Sequence, residues 1–134
     1  MNDLLIRNAR LVTGELVSIA IKDGRIAAIG SDLEAMAFES KDALGRVVMA
    51  GLVEAHCHLD KNLTLERVGN QTGTLMEAIT NWVAYKPSLT HQDYLERAMA
   101  GLELALVNGV TALRSHVDVG VVGGLLALEA VGQQ

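Results

Sequence analysis

Apolar and polar positions alternate from the start of the chain, and the opening residues read as short strands: Leu4-Leu5-Ile6, Leu11-Val12, Val17 to Ile21 and Ile26 to Ile29. Asn8-Ala9, Thr13-Gly14 and Asp23-Gly24 punctuate them. Asp23-Gly24 is the clearest tight-hairpin signal, because both residues tolerate positive φ between two apolar runs. Residues 31 to 45 are mixed, with one or two helical turns expected over Asp32 to Phe38. The apolar run Val47-Val48-Met49 then leads into Leu52-Val53-Glu54-Ala55-His56-Cys57-His58-Leu59. Side chains alternate along a strand, so Glu54, His56 and His58 share one face, and Val53, Ala55, Cys57 and Leu59 the other.

Beyond this strand the period changes. Thr74 to Lys86 reads as a helix with Leu75, Ala78, Ile79, Trp82 and Val83 inward. Thr90 opens a second helix: its hydroxyl can cap, Asp93 stands at the capping-box position, and Tyr94, Leu95, Ala98, Met99, Leu102, Ala105 and Leu106 follow helical spacing up to Gly109. Val110 to Asp118 reads as a strand and Leu125 to Val131 as a further helix. The order strand, helix, strand, helix predicts an α/β fold with parallel pairing. The long connection from Asp60 to Leu89 at the end of a strand is the kind that carries function.

Half of the 134 residues are apolar, which argues against disorder. The net charge of −5 is spread along the chain, which argues against nucleic acid as a partner. The stretch Val119 to Leu128 contains three glycines and falls short of the roughly 20 residues a membrane span needs. With no signal-peptide pattern and one cysteine, Cys57, the default expectation is a cytoplasmic protein. Aromatic content of 3% and a single proline are low for a whole enzyme and point to a partial chain.

The chemistry lies in His56 and His58. At i and i+2 on one strand face, two imidazoles can reach one divalent cation. A His-x-His pair alone is weak evidence, but this one ends a strand and precedes a polar loop, Asp60-Lys61-Asn62, where catalytic groups gather in parallel barrels. Other residues have bland readings beside sharp ones. Lys61, from its place in this loop, reads as a solvated loop lysine. His116, on the face of Arg114 and Asp118, either contacts substrate or is a hydrogen-bonded structural residue. Cys57 faces away and reads as a small hydrophobe. Trp82 reads as packing before substrate stacking, His91 as a surface residue of a first helical turn, and Glu54 as a deeper hydrogen-bonding carboxylate.

Gly51 to Asp60 resembles the first barrel strand of the amidohydrolase superfamily. Asn70-Gln71-Thr72-Gly73-Thr74-Leu75, Leu89-Thr90-His91 and Arg114-Ser115-His116-Val117-Asp118-Val119 resemble its cytosine deaminase branch. His-x-His-Leu-Asp-Lys is similar to a subgroup that includes the isopropylammelide amidohydrolases. The resemblance covers essentially the whole chain, with one departure: Ala50 stands where relatives commonly carry proline.

It implies a β-sandwich portion over residues 1–48 and, over 49–134, the first two βα units of a (β/α)8 barrel that is incomplete here. It implies one divalent metal ion, zinc or iron, held by His56 and His58, with Lys61 facing a small-molecule substrate as an ammonium near the metal; His116 joins Lys61 as a substrate-binding candidate through its place at the end of the second strand. The remaining ligands and the proton shuttle of the family come from later strands, so no catalytic residue is expected within this chain. The implied activity is hydrolysis of a C–N bond in a small nitrogen heterocycle, amide or amidine. The rival expectation is a catalytically incompetent segment that forms a homo-oligomer or assembles with a missing half. A small free-standing metal-binding domain is disfavoured, because two ligands leave a divalent ion under-coordinated.

Overall fold

A computed structural model describes residues 1–132, and the chain divides into two compact units, Met1–Ala50 and Gly51 onward. The first unit is one four-stranded sheet built from β1 (Asn2–Arg10), β2 (Leu16–Lys22), β3 (Arg25–Gly30) and β4 (Ala37–Asp42). Their order is β3-β2-β1-β4, antiparallel except for the parallel β1–β4 pair. Asp23 and Gly24 close the β2–β3 hairpin with φ of 50° and 70°, the left-handed pair that the sequence predicts. Ala9, Val17 and Ile19 form its buried cluster, with Ile6, Leu11 and Val48 packed around them.

Two expectations here are corrected. Leu11-Val12 is not a strand: β1 runs straight from Asn2 to Arg10 through a register shift between Ile6 and Ala9, and Leu11 begins the turn, accepting the Gly14 N–H at 2.9 Å. Asp32 to Phe38 is not helical either. Residues 31–36 are turn and coil, and Ala37 starts β4, whose backbone pairs with β1 over Asn2 to Arg7.

The second unit contains β5 (Leu52–Cys57), α1 (Leu65–Val68), α2 (Leu75–Tyr85), a 3-10 turn (Lys86–Ser88), α3 (His91–Val107), β6 (Val110–Ser115) and α4 (Leu126–Val131). β5 and β6 pair in parallel, joined by a crossover that includes α3, which is a βαβ unit. Thr90 and Asp93 form the reciprocal capping box at the start of α3, and Thr74 caps α2 by accepting the Glu77 N–H. Trp82, Leu89, Tyr94, Ala127 and Ala130 make the buried cluster of this unit, so Trp82 packs as expected. The rest of the expected inward face of α2 is not buried: Leu75, Ile79 and Val83 are exposed, because among the described residues the helix meets its neighbours along the edge that carries Asn81, Trp82 and Tyr85. On α3, Leu106 and Met99 are likewise exposed while Tyr94, Arg97 and Ala98 are buried.

Two glycines permit close approach. A β-carbon on Gly51 would collide with the Thr111 side chain across the β5–β6 pair, and one on Gly101 would collide with the Asn62 amide. The second glycine therefore lets the turn after β5 lie flat on α3.

Candidate metal and substrate site

Parallel pairing brings the C-terminal ends of β5 and β6 side by side. Cys57 is level with Ser115, the His116 N–H donates to the Cys57 carbonyl at 2.8 Å, and the Leu59 N–H donates to Ser115 Oγ at 3.1 Å. Three imidazoles gather on this edge. The ring centres of His56 and His58 are 5.6 Å apart, those of His56 and His116 4.2 Å, and those of His58 and His116 5.7 Å. Two imidazoles that share a tetrahedral ion through nitrogens about 2.1 Å away hold their ring centres about 5 Å apart. The His56–His58 spacing fits such an ion.

Glu54 does not join them at this edge. Its carboxylate turns back and accepts the His56 N–H at 2.9 Å, a local bond that braces the strand. Cys57 is half-buried, with Sγ 3.5 Å from the Arg114 carbonyl. Burial raises its thiol pKa, the Glu54 and Asp60 charges add to that, and a hydrogen bond with Ser115 opposes it. It is not a reactive thiolate.

Beside the imidazoles lies a polar network, of which the sequence singles out Lys61 alone as a site residue. Asp60 is completely buried. Its Oδ1 lies 3.3 Å from His58 Nδ1, its Oδ2 accepts the Asp118 N–H at 3.0 Å, and its backbone carbonyl accepts from Arg97 Nη1 at 2.9 Å. Lys61 is ion-paired: Nζ lies 2.6 Å from Asp118 Oδ2. A second lysine, Lys86, is buried and donates to the Asp118 carbonyl at 2.8 Å. Burial works against the Asp118 charge, but the hydrogen bond and charge of Lys61, with smaller contributions from His58 and Lys86, outweigh it and hold this carboxyl below the usual range.

His58, Asp60 and Asp118 offer ligand atoms within 4.8 Å of one another, a spacing that could suit a cation. Their partners argue otherwise: both Asp60 oxygens are engaged and the Lys61 ammonium already neutralises Asp118. The three imidazoles offer a second group of ring nitrogens that could hold a cation, with the acidic pair beside them.

Lys61 also borders a hollow of about 440 Å³, lined by Leu63, Leu65, Val68, Ala78 and Trp82 among others. Thus the structure brings His56, His58 and His116 together and ties Lys61 to their edge through Asp118. Asp118 and Asp60 were visible in the sequence as neighbours of the histidines. Arg97 and Lys86 gave no signal beyond polar residues within apolar helical patterns.

No helix among the described residues is long and apolar enough to cross a membrane. No protein-family model matches the chain. Individual proteins do. N-isopropylammelide isopropyl amidohydrolase of Pseudomonas sp. strain ADP is 33% identical over 135 residues, covering 96% of this chain and 34% of that enzyme. The crystal structure of 5-methylcytosine deaminase from Klebsiella pneumoniae liganded with 5-fluorocytosine has a TM-score of 0.85 at 36% identity, over 96% of this chain and 32% of that one. The crystal structure of N-isopropylammelide isopropylaminohydrolase from Burkholderia multivorans has a TM-score of 0.81 at 32% identity, over 99% of this chain and 34% of that one. The chain spans about a third of the length of these relatives. It is a homologue of amidohydrolase-superfamily enzymes and corresponds to their N-terminal portion.

Proposed function

We propose that this chain carries one side of a divalent-metal site, in an enzyme that hydrolyses a C–N bond of a small nitrogen heterocycle or a related amide or amidine. The observation that carries the reading is the convergence of His56, His58 and His116 at the C-terminal ends of two parallel strands, next to Lys61. His56 and His58 would hold the ion, zinc or iron. The chemistry such an ion supplies is Lewis-acid activation of water and of the electrophilic carbon. In the overall reaction a C–O bond to water's oxygen replaces the C–N bond, and the displaced nitrogen leaves as ammonia or an amine with one of water's protons, while the other stays on the product, on a ring nitrogen or the new carboxyl.

The chain's own groups bind and orient. Lys61, held by Asp118, presents an ammonium at the rim of the apolar hollow, where a ring carbonyl or ring nitrogen can accept from it. His116, its ring tilted 41° to that of His56 with the centres 4.2 Å apart, offers a ring nitrogen to substrate. The names of the relatives support a heterocyclic substrate: one acts on N-isopropylammelide and another is a 5-methylcytosine deaminase. The domain assignment that goes with this reading is a β-sandwich portion followed by the start of a (β/α)8 barrel in a cytoplasmic enzyme. The test is metal content. In the intact enzyme, replacing His56 and His58 together by alanine is expected to lower bound zinc or iron at least about tenfold. Unchanged metal content in the double variant refutes the assignment.

A second reading concerns the chain by itself. A (β/α)8 barrel needs about 250 residues, and among the described residues the second unit contains one parallel strand pair, β5–β6, whose Leu52 and Val53 are exposed, as are Leu75, Leu104, Leu106 and Val107 on the helices. Surfaces of this kind associate. The isolated chain is therefore expected to show no deaminase turnover on cytosine or ammelide-type substrates, and to grow in light-scattering mass with concentration. A compact monomer with turnover excludes this reading.

A further inference from the structure

We propose that Lys86 is a positioning residue that straps the loop after β6 in place, so that Asp118 can hold Lys61 at the edge of the hollow. The role of Lys61 there rests on the substrate reading above; the strap itself is a statement about this chain's own contacts.

Asp118 needs a hold from outside the sheet. β6 ends at Ser115, and among the described residues the last main-chain hydrogen bond between the two strands runs from the His116 N–H to the Cys57 carbonyl. Asp118 lies two residues further on. Its N–H donates to Asp60 Oδ2 at 3.0 Å, and its carbonyl accepts from Lys86 Nζ at 2.8 Å. A residue has two soft backbone torsions, and holding its N–H and its C=O together restrains both. The Cα–Cβ direction follows from those torsions, and with it the approach of Asp118 Oδ2 to Lys61 Nζ at 2.6 Å.

Lys86 makes a firm anchor. It caps α2, where its N–H donates to the Trp82 carbonyl, and its own carbonyl accepts the Leu89 N–H at 3.2 Å. Pro87 follows and locks one more torsion. Lys86 is 7% exposed, and among the described residues no carboxylate pairs with it, so its Nζ is committed to main chain. The stem makes a second contact. It runs beneath Gly123, where an added β-carbon would lie 2.8 Å from Lys86 Cε, and Gly123 has φ of 87°. Conformation and space both demand glycine there. Gly123 lies inside the bend that the Gly124 N–H closes by donating to the Gly120 carbonyl at 3.1 Å. One side chain therefore holds the loop at its entry, Asp118, and near its exit, Gly123.

The test separates the two contacts. Lys86→Met keeps a stem under Gly123 and removes the Nζ donor. Lys61 reports the result, because an amine held by Asp118 is acylated slowly. The metal-free 134-residue chain is treated with limiting acetic anhydride, and each lysine is read by mass spectrometry. Lys22 and Lys41, exposed in the first unit, are internal standards. One hydrogen bond of this kind changes the held population about two- to fivefold, and Lys61 is expected to label faster by about that factor in Lys86→Met. Gly123→Ala attacks the strap from its other end with Nζ intact and is expected to release Lys61 as well. Ala127→Gly loosens the neighbouring buried cluster without touching either contact, and is expected to leave Lys61 protected. Native Lys86 labelled as fast as Lys22 or Lys41 overturns the proposal without any variant. So does an unchanged Lys61 rate in a folded Lys86→Met, or an equal release in Ala127→Gly. If Lys86→Met does not fold, Gly123→Ala decides, and an unchanged Lys61 rate there overturns the strap. If the labelling behaves as expected but Lys61→Met keeps its turnover in an assembly that restores activity, the strap stands and the substrate role of Lys61 falls.

Discussion

Replacing Arg97 by methionine probes the support under the site. The guanidinium is almost entirely buried, donates through Nη1 to the Asp60 and Asn62 carbonyls, and lies 5.1 Å from the Tyr94 ring centre. Methionine keeps most of the stem's packing but removes every donor. Each lost charged hydrogen bond to a buried carbonyl costs about 1.5 to 3 kcal/mol, and the cation–π contact adds about 1 kcal/mol. Against this, burial disfavours the guanidinium charge and lowers its pKa, with Tyr94 and Asp93 opposing. Removing that cost returns a part of the loss. A net destabilisation of about 2 to 4 kcal/mol follows, which for a chain of this size lowers Tm by about 10 °C. Circular dichroism melts of Arg97→Met and native chain at equal concentration measure it. A Tm shift below about 2 °C would mean that the turn after β5 holds its shape without Arg97.

Two further outcomes can be checked. Lys61→Met is expected to cost less than about 1 kcal/mol of stability, since the Lys61–Asp118 pair is partly exposed, yet to abolish most turnover in an assembly that restores activity; loss of Tm with turnover per folded molecule retained refutes the substrate role. Acid melts test the α3 cap: hydrogen bonds from the Thr90 side chain and backbone outweigh a small burial cost and, helped by the Arg67 and Arg97 charges, hold the Asp93 carboxyl below its ordinary value. A depressed folded pKa gives stability that is complete above the unfolded value near 4 and lost as the pH falls through the folded one. Native chain and Asp93→Asn should therefore converge in Tm on acidification below about pH 4, and a constant gap refutes the linkage.

The parts legible in the sequence are those set by neighbours along the chain. Asp23-Gly24 specifies a hairpin by local φ preference, and Thr90 with Asp93 specifies a helix start within one turn. The approach of His56 and His58 is legible because the strand period puts residues two apart on one face. What escaped depends on distant partners. β4 has the polar sequence Ala37-Phe38-Glu39-Ser40-Lys41-Asp42 and is a strand because its backbone pairs with β1, not through any apolar alternation. The inward face assigned to α2 failed because periodicity shows that a stripe exists and not what covers it: Leu75 and Ile79 remain exposed. Asp60 and Arg97 were illegible as a pair, since nothing local says that a loop carboxylate and a helix arginine 37 residues apart will meet.

The bonds that tie the turn after β5 to β6 share a property with consequences for folding. Leu59 to Ser115, Lys61 to Asp118 and Asp118 to Asp60 span 56, 57 and 58 residues. Each can form only after α3 has brought β6 back beside β5, and closing so long a loop must be met entropically before any of these contacts returns energy. The imidazoles would then be brought together late, as one cooperative event. Amide protons of Leu59, His116 and Asp118 should exchange with solvent together, at the rate at which the parallel pair opens, while the α3 cap protons follow their own faster or slower course.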